Sequence, residues 1–472
     1  MERRPTTTMR RSRIGQTQNM LSGMSNPTVF ILWDFRTLVS AVIFFLALVS
    51  WTEAHASGEP PNILLVIADD MGVDASPCYP VGKQKPNMPV LEGLCRSGVV
   101  FENVWSNPQC SPTRATILTG RYGIRTGVRA AMLRKGNPGI RLDELSVHQL
   151  LDQRSNSRYA HAVIGKWHLS DRDNGGPNNP KLMGVGHYSG LIKNGHDNYW
   201  RWPRTEDGET RLVDGYATTI FTNEAIDWVG KQDKPWFLWL AYTAPHHPFH
   251  LPPAELHTRH DLTDNMADIR TTPLPYYLAM MEALDSELGR LLSSLPSEQR
   301  ENTIVIFVGD NGTPGDVAQL PYNRYQAKST IFEGGIHVPM IVAGAGVIRK
   351  GVREAALINT TDLFATIADL AGTGVTQLGD SISFKHLLVN KPGPQRRFLY
   401  ADFHNQLSEW GNAWAIRDNR YKFIQFESGQ QKLFDLIDDP FEKRDLLEPA
   451  PTVDDRDIAD SLAQAAVEIR QE

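Results

Sequence analysis

The 472-residue sequence predicts an α/β protein: a large, mostly parallel sheet flanked by helices, followed by a smaller C-terminal α+β domain with a short antiparallel sheet. Three observations carry this expectation. Residues 62–68, 236–242 and 303–309 are short continuous apolar runs, the pattern of strands buried on both faces of a parallel sheet. Between these runs the apolar period becomes helical, as strand–helix alternation requires. From about Ser383 onward the runs shorten and turns crowd together, which marks a second architecture.

Arg3, Arg4, Arg10, Arg11 and Arg13 precede an apolar run over residues 38–51 that ends near Ala54-His55-Ala56. This is the order of a secretory signal peptide, assigned to residues 1–56, with Met20 or Met24 as alternative starts. The run is shorter than the ~20 residues of a membrane-spanning helix, so no stable membrane anchor is expected. The protein is expected to be exported, periplasmic or secreted. Without residues 1–56 the chain carries 42 Lys+Arg against 51 Asp+Glu, a formal charge of −9. Such a chain has no bulk attraction for nucleic acid. The catalytic domain is expected over residues 57–382 and the C-terminal domain over 383–472.

The first strand stops at Asp69-Asp70-Met71-Gly72. Adjacent carboxylates after a buried strand are costly unless a cation neutralises them, and ligand sites in open α/β sheets form beyond such strand ends. The strand over residues 303–309 repeats the design, ending in Asp310-Asn311-Gly312. Paired oxygen donors on two strands suggest one site for a hard divalent cation, Ca²⁺ or Mg²⁺. Helix caps or turns explain either motif alone.

Cys110-Ser111-Pro112-Thr113-Arg114 reads as a loop delivering one sulfur to a helix start, with Pro112 in the first turn and Arg114 on the same helical face. The helix end and the guanidinium favour an anion there, so Cys110 reads as a reactive thiol. If Cys110 is chemically special, Cys78 and Cys95 are left as a possible pair. For Cys95 the favoured reading is a core position in the helix carrying Val90, Leu91 and Leu94.

Further along, residues 143–151 read as a helix and 160–164 as a strand running into Gly165-Lys166-Trp167-His168. The polar, Gly/Asn-rich segment 171–214 is too long for a plain connection and is read as a substrate-side loop. A helix over 217–229 leads to the strand 236–242, which ends at Ala244-Pro245-His246-His247-Pro248. A long amphipathic helix is expected over 276–295, a strand over 339–343 and a helix over 361–371. Short strands follow over 398–403, 413–417 and 421–426, then a closing helix over 453–469. Lys166, His168, His246 and Lys328 each have an ordinary structural alternative. Gathered at one sheet edge with a metal and Cys110, they describe a site for a tetrahedral oxyanion.

Over most of residues 60–445 the sequence resembles the type I sulfatases of the alkaline phosphatase superfamily. The most specific match is Cys110-Ser111-Pro112-Thr113-Arg114 with Ala115-Thr116-Ile117-Leu118-Thr119-Gly120-Arg121, similar to that family's signature for oxidising cysteine to formylglycine. The motifs at Asn62–Gly72, Gly165–His168, Ala244–His246 and Gly309–Gly312 match in the same order, and Leu433-Phe434-Asp435-Leu436 with Asp439-Pro440-Phe441-Glu442 resembles the family's C-terminal domain. The resemblance implies an alkaline-phosphatase-like fold and a formylglycine made from Cys110 by a formylglycine-generating enzyme during maturation. It implies a hydrated aldehyde that attacks the sulfur of a sulfate ester, and Ca²⁺, ahead of Mg²⁺, bound by Asp69, Asp70, Asp310, Asn311 and the modified Cys110. It further implies that Arg114 holds the nucleophile and that Lys166 and Lys328 neutralise sulfate oxygens. His168 is the implied base and His246 the implied donor near the leaving oxygen.

The family usually carries Arg where this chain has His337, a position assigned to support of the sheet edge. His247, His250, His257 and His260 are irregularly spaced around Pro252-Pro253 and read as a substrate loop in preference to a second metal site. The expected substrate is a sulfated carbohydrate or aryl sulfate. The alternatives are a phosphonate monoester or phosphodiester hydrolase of the same superfamily and a non-catalytic binding homologue. Cys110→Ala and Asp310→Ala are each expected to abolish activity without unfolding the chain.

Overall fold

Continuous apolar runs become the centre of the sheet because neither of their faces meets water. A computed structural model describes residues 60–132, 138–156, 158–404 and 412–471; the proposed leader, residues 1–56, lies outside them. In chain order the strands of the main sheet are β1 Asn62–Ala68, β2 Val99–Trp105, β3 Ala160–Lys166, β4 His187–Leu191, β5 Arg201–Glu206, β6 Glu209–Asp214, β7 Trp236–Ala241, β8 Thr303–Gly309, β9 Met340–Gly344 and β10 Val352–Asn359. They form one ten-stranded sheet in the order β10-β2-β9-β8-β1-β7-β3-β4-β5-β6. Strands β8, β1, β7, β3 and β4 run parallel, and antiparallel pairs involving β9, β5 and β6 lie to either side.

Successive side chains of β1 point to opposite faces, so Leu64 and Val66 join one core and Ile63, Leu65 and Ile67 the other. Seven helices matter here: α1 Pro89–Ser97, α2 Cys110–Thr119, α3 Val147–Arg154, α4 Ala217–Val229, α5 Leu274–Ser294, α6 Leu363–Leu370 and α7 Val453–Gln471. The first core takes α1, α4 and α5, and the second takes α2, α3 and α6. In α5 the stripe Tyr277, Met280, Met281, Leu284, Leu288 and Leu291 is buried, as its helical spacing predicts. Helix α6 is preceded by a short 3₁₀ turn, Thr360–Asp362, whose capping box comes from Asn359; Asp362 is the N-cap position of α6 itself and makes no side-chain cap hydrogen bond to it.

The C-terminal sheet comprises β11 Leu399–Phe403, β12 Ala413–Arg417, β13 Tyr421–Phe426 and β14 Gln431–Asp435, antiparallel throughout. One face packs with Trp105, Ile331 and Phe332, and the other is covered by α7. Residues 59–472 form one compact unit.

Two sequence readings are corrected. The segment 171–214 is not a plain loop, because it contains β4, β5 and β6, which extend the main sheet. Of these, β6 is exposed on nearly every residue, whereas β4 is almost wholly buried and β5 is partly so. The hairpin signal was present in Asp207-Gly208, both at positive φ, between β5 and β6. Cys78 and Cys95 form a disulfide with Cα atoms 6.4 Å apart, so the unpaired reading of Cys95 fails. Cys95 does lie on α1, and the bridge ties that helix to the loop after β1. Closing a loop of 17 residues restricts the unfolded chain, so Cys95→Ser is expected to cost about 3 kcal/mol in urea unfolding.

Candidate active site

The parallel register decides which residues meet. Ala68 pairs with Gly309, Ile67 with Ala241, and Gly165 with Ala241, so β1, β8, β7 and β3 end level with one another. The residues just beyond those ends therefore share one edge: Asp69 and Asp70, Asp310 and Asn311, Lys166 and His168, and His246. Gly165 is required in this register, since its φ is +105° and a Cβ there would lie 1.9 Å from the carbonyl oxygen of Ala241.

Helix α2 delivers Cys110, and all ten of its residues are buried. It begins without a side-chain cap, because Gln109 turns away to accept from the Ala131 amide at 2.7 Å and to donate to Ser329 Oγ at 3.0 Å. Gly120 closes the helix at φ +67°, where a Cβ would press on Phe364 at 2.7 Å. Burial pushes the Cys110 thiol up to about 12, with Lys166 and Lys328 opposing and Asp69 and Asp310 reinforcing the rise. The thiolate expected from the helix end and Arg114 is thus overruled by desolvation.

Arg114 is fully buried and donates twice to Asp310 Oδ2, from Nη2 at 2.8 Å and Nε at 3.1 Å. Its Nη1 donates to the Lys166 carbonyl at 2.8 Å, and Asp69 Oδ1 lies 3.8 Å from Nη2. Lys166 Nζ donates to Asp69 Oδ2 at 2.5 Å, and Lys328 Nζ pairs with Asp70 Oδ1 at 2.5 Å. Asp310 Oδ1 accepts the Asp70 amide at 3.0 Å, and Asn311 Nδ2 donates to Asp70 Oδ1 at 2.8 Å. Burial would raise the Asp70 carboxyl, but Lys328, His246 and Lys166 hold it well below the usual carboxylate range. Asp310 is raised to about 6, first by burial and then by the neighbouring Asp69.

At this edge three buried oxygens have no hydrogen-bond partner among the described residues: Asp69 Oδ1, Asp70 Oδ2 and Asn311 Oδ1. Buried oxygens of this kind are rare unless something else satisfies them, and oxygen donors on adjacent strand ends fit a hard cation. Ligand atoms of Asp69, Asp70, Cys110 and His246 all lie within 4.8 Å of one another. The structure thus links Asp69, Asp70, Arg114, Lys166, Asp310, Asn311 and Lys328 in one contact network, with Cys110 and His246 in the metal-competent group beside Asp69 and Asp70.

The two histidines differ. His168 is buried at φ +58°, both ring nitrogens lack partners, and burial holds it neutral with Lys166 and Arg114 adding to the effect. His246 Nδ1 lies 2.9 Å from the carbonyl oxygen of His247, which only accepts, so Nδ1 carries the proton. Burial lowers this imidazole to about 3, so Nε2, 3.8 Å from Asp70 Oδ2, presents a lone pair. Asp70 and Ser329 also sit at positive φ, +74° and +67°, so backbone strain collects around this edge.

Other contributors were not singled out in the sequence. Tyr277 donates to the Asp70 carbonyl at 2.7 Å, holding its left-handed backbone, yet reads in sequence only as a core position of α5. Thr313 accepts from the Gly72 amide at 3.2 Å and donates to Asp74 at 2.6 Å, bracing both acidic loops. Asn194 Oδ1 accepts from Lys166 Nζ at 3.3 Å and lies in the segment read as substrate-side. His337 accepts no role at this edge; its Nε2 contacts the Glu102 carbonyl at 2.7 Å beside a bridge to Trp105. His250 contacts Tyr216 Oη at 3.2 Å, and the rings of His257 and His260 lie 5.6 Å apart.

A family model described as Sulfatase matches residues 61–373, and one described as N-sulphoglucosamine sulphohydrolase, C-terminal, matches 323–472. Arylsulfatase G of Rattus norvegicus is 26% identical over 456 residues, covering 84% of this chain and 82% of that protein. N-acetylgalactosamine-6-sulfatase of Homo sapiens is 29% identical over 355 residues, covering 68% of this chain and 63% of that protein. Among solved structures, Ps i-CgsB in complex with k-i-k-neocarrahexaose superposes with a TM-score of 0.72 at 24% identity, covering 87% of this chain and 93% of that one. BT4656 in complex with its substrate D-glucosamine-2-N,6-O-disulfate superposes with a TM-score of 0.70 at 22% identity, covering 88% and 98%.

Proposed function

The chain belongs to the sulfatase family and hydrolyses sulfate esters; from that premise we propose that it does so with a formylglycine made from Cys110 and a Ca²⁺ held by Asp69, Asp70, Asp310 and Asn311. The observation that carries the reading is that ligand atoms of Asp69, Asp70 and His246 lie within 4.8 Å of the Cys110 sulfur, at an edge that also holds unpartnered buried oxygens and the cations Arg114, Lys166 and Lys328. The thiol stands where the aldehyde carbon and its hydroxyls would be. Formylglycine would supply a hydrated aldehyde, one hydroxyl to displace the alcohol from sulfur and a second to release sulfate. Calcium would supply Lewis acidity toward anionic oxygens.

The chain's own residues do the rest. Three carboxylates (Asp69, Asp70, Asp310) balance three permanent cations (Arg114, Lys166, Lys328), so a divalent ion leaves the edge net positive toward a sulfate group. Arg114, locked by Asp310 and the Lys166 carbonyl, orients the group at position 110. Lys166 and Lys328 neutralise sulfate oxygens. His168, held neutral with unpartnered nitrogens, accepts a proton from the nucleophilic position. With Nδ1–H committed to His247, His246 takes a proton on Nε2 before it passes one to the leaving oxygen.

The substrate of this reading is a sulfated carbohydrate, the class named for the N-acetylgalactosamine-6-sulfatase relative. Export, with residues 1–56 as leader and maturation by a formylglycine-generating enzyme, belongs to the same proposal, as do a catalytic region over 57–382 and a C-terminal region over 383–472. The Cys78–Cys95 bridge supports an oxidising compartment. No helix among the described residues is long and apolar enough to cross a membrane.

The test has two readouts. In protein from its native host, the peptide containing Cys110 is expected to be lighter by about 18 Da, the thiomethyl carbon having become an aldehyde. Chelation with EGTA is expected to stop turnover of 4-nitrophenyl sulfate and added Ca²⁺ to restore it. An unmodified thiol in active protein, or turnover indifferent to chelation, overturns the proposal.

A further inference from the structure

Two loops that reach the sheet edge continue past it. The chain after His246 runs through His247 and Phe249, and the chain after Asn311 runs through Gly315 and Asp316. Between them lies a cavity of about 680 Å³, within the ~300–1,000 Å³ usual for small-ligand sites. It adjoins the catalytic edge: the His247 carbonyl contacts His246 Nδ1, and the His247 ring feels the charges of Asp70 and Lys328.

One wall is apolar, formed by Phe249, Ile269 and Pro273. Phe249 packs on the His247 ring at 3.9 Å and edge-on to Tyr277 at 5.7 Å, so this wall is anchored to the helix that holds Asp70. The other lining is charged. Arg324 already faces Asp316 at 3.8 Å, with both side chains more than half exposed. Arg270 is different. It projects from the helical turn Met266–Thr271, which Asn265 caps and buried Ile269 anchors. Its near neighbour Asp268 is engaged by Thr263 at 2.6 Å. Among the described residues Arg270 has no ion pair and no hydrogen bond, so an exposed, unpartnered guanidinium lines a cavity beside the reaction centre.

We propose that this cavity is the subsite for the saccharide next to the reacting sulfate, and that Arg270 binds a second anionic group, carboxylate or sulfate, on that saccharide. The proposal deepens the sulfate-ester reading and rests on it, naming the substrate class as a polyanionic glycan. A planar guanidinium matches carboxylate and sulfate oxygens in a forked pair, and the apolar wall takes the C–H face of a sugar ring. The chain is acidic overall, so this recognition is local, made by one cation placed where the bulk field is unfavourable.

The experiment uses Cys110→Ala protein, which binds without turnover, and two probes titrated by calorimetry. One is a sulfated hexosamine linked to a uronic acid; the other is the same disaccharide with the carboxylate reduced to an alcohol. The parent is expected to bind the carboxylate form about tenfold more tightly, the worth of one charge-assisted pair. Arg270→Gln is expected to bring that ratio close to one, and Arg270→Lys to retain part of it, since the charge stays and the fork is lost. A ratio near one in the parent, or a ratio that survives Arg270→Gln, overturns the subsite. Turnover of 4-nitrophenyl sulfate by the wild-type protein is the separate readout on which the catalytic reading stands or falls.

Discussion

Cys110→Ala is expected to remove sulfate-ester turnover by at least about 10⁴-fold in kcat/KM, the scale seen when a covalent nucleophile is deleted. The fold should survive. The side chain is 1% exposed in a helix whose ten residues are all buried, and the change removes a single sulfur from that site. A loss of about 1 kcal/mol is expected in denaturant unfolding, small beside the effect on rate. Activity and unfolding measured on one preparation separate the two quantities. Retained turnover would mean that the thiol position is not the source of the nucleophile, and a collapse of the fold would mean that Cys110 is mainly structural.

Asp310→Ala is the second large effect, and here the expectation from sequence needs revision. Asp310 accepts two hydrogen bonds from a fully buried Arg114, and its other oxygen accepts the Asp70 amide at 3.0 Å. Removing it leaves a desolvated guanidinium whose next carboxylate, Asp69, is 3.8 Å away. Breaking a buried pair from one side costs about 3–5 kcal/mol, so Asp310→Ala should lose stability as well as activity. Asp310→Asn is the sharper test. It keeps the shape and the acceptor for the Asp70 amide while removing the charge, so it should be more stable than the alanine variant yet still inactive. Urea unfolding of both variants beside an aryl sulfate assay checks this; wild-type stability in Asp310→Ala or wild-type turnover in Asp310→Asn would sink the assignment.

Most of the catalytic edge is legible in the linear sequence because its residues follow apolar strands directly. Asp69, Asp70, Asp310, Asn311, Lys166, His168 and His246 each sit within a few residues of a strand end, and level strand ends bring them together whatever the helices do. Lys328 was singled out through its motif, and its place is set by a backbone bond from its amide to the Thr313 carbonyl at 3.0 Å. What stayed hidden acts over long sequence separations without a local pattern. Tyr277 reaches Asp70 from 207 residues away, and nothing in its helical stripe marks it apart from Met280 or Leu284. In residues 171–214 the exposed edge strand β6 lacks the apolar alternation by which strands are recognised, and the buried β4 is short and interrupted by Ser189 and Gly190, although Asp207-Gly208 announced the β5–β6 hairpin.

The sequence by itself determined the α/β class, the strand ends that carry charge and the identity of the groups placed there. Those follow from local rules: an apolar run must be buried, and a polar residue beyond it must surface at the sheet edge. Only the tertiary structure decided what those groups become once assembled. Burial pushes the Cys110 thiol up to about 12, against the anion expected from its helix end, and the His247 carbonyl holds the proton of His246 on Nδ1. The tertiary structure also makes Asp310 the hydrogen-bonded counter-charge of Arg114, with Asp69 3.8 Å away, and among the described residues leaves Arg270 unpaired beside the cavity. Desolvation and pairing depend on every neighbour in space, and no run of residues encodes them locally.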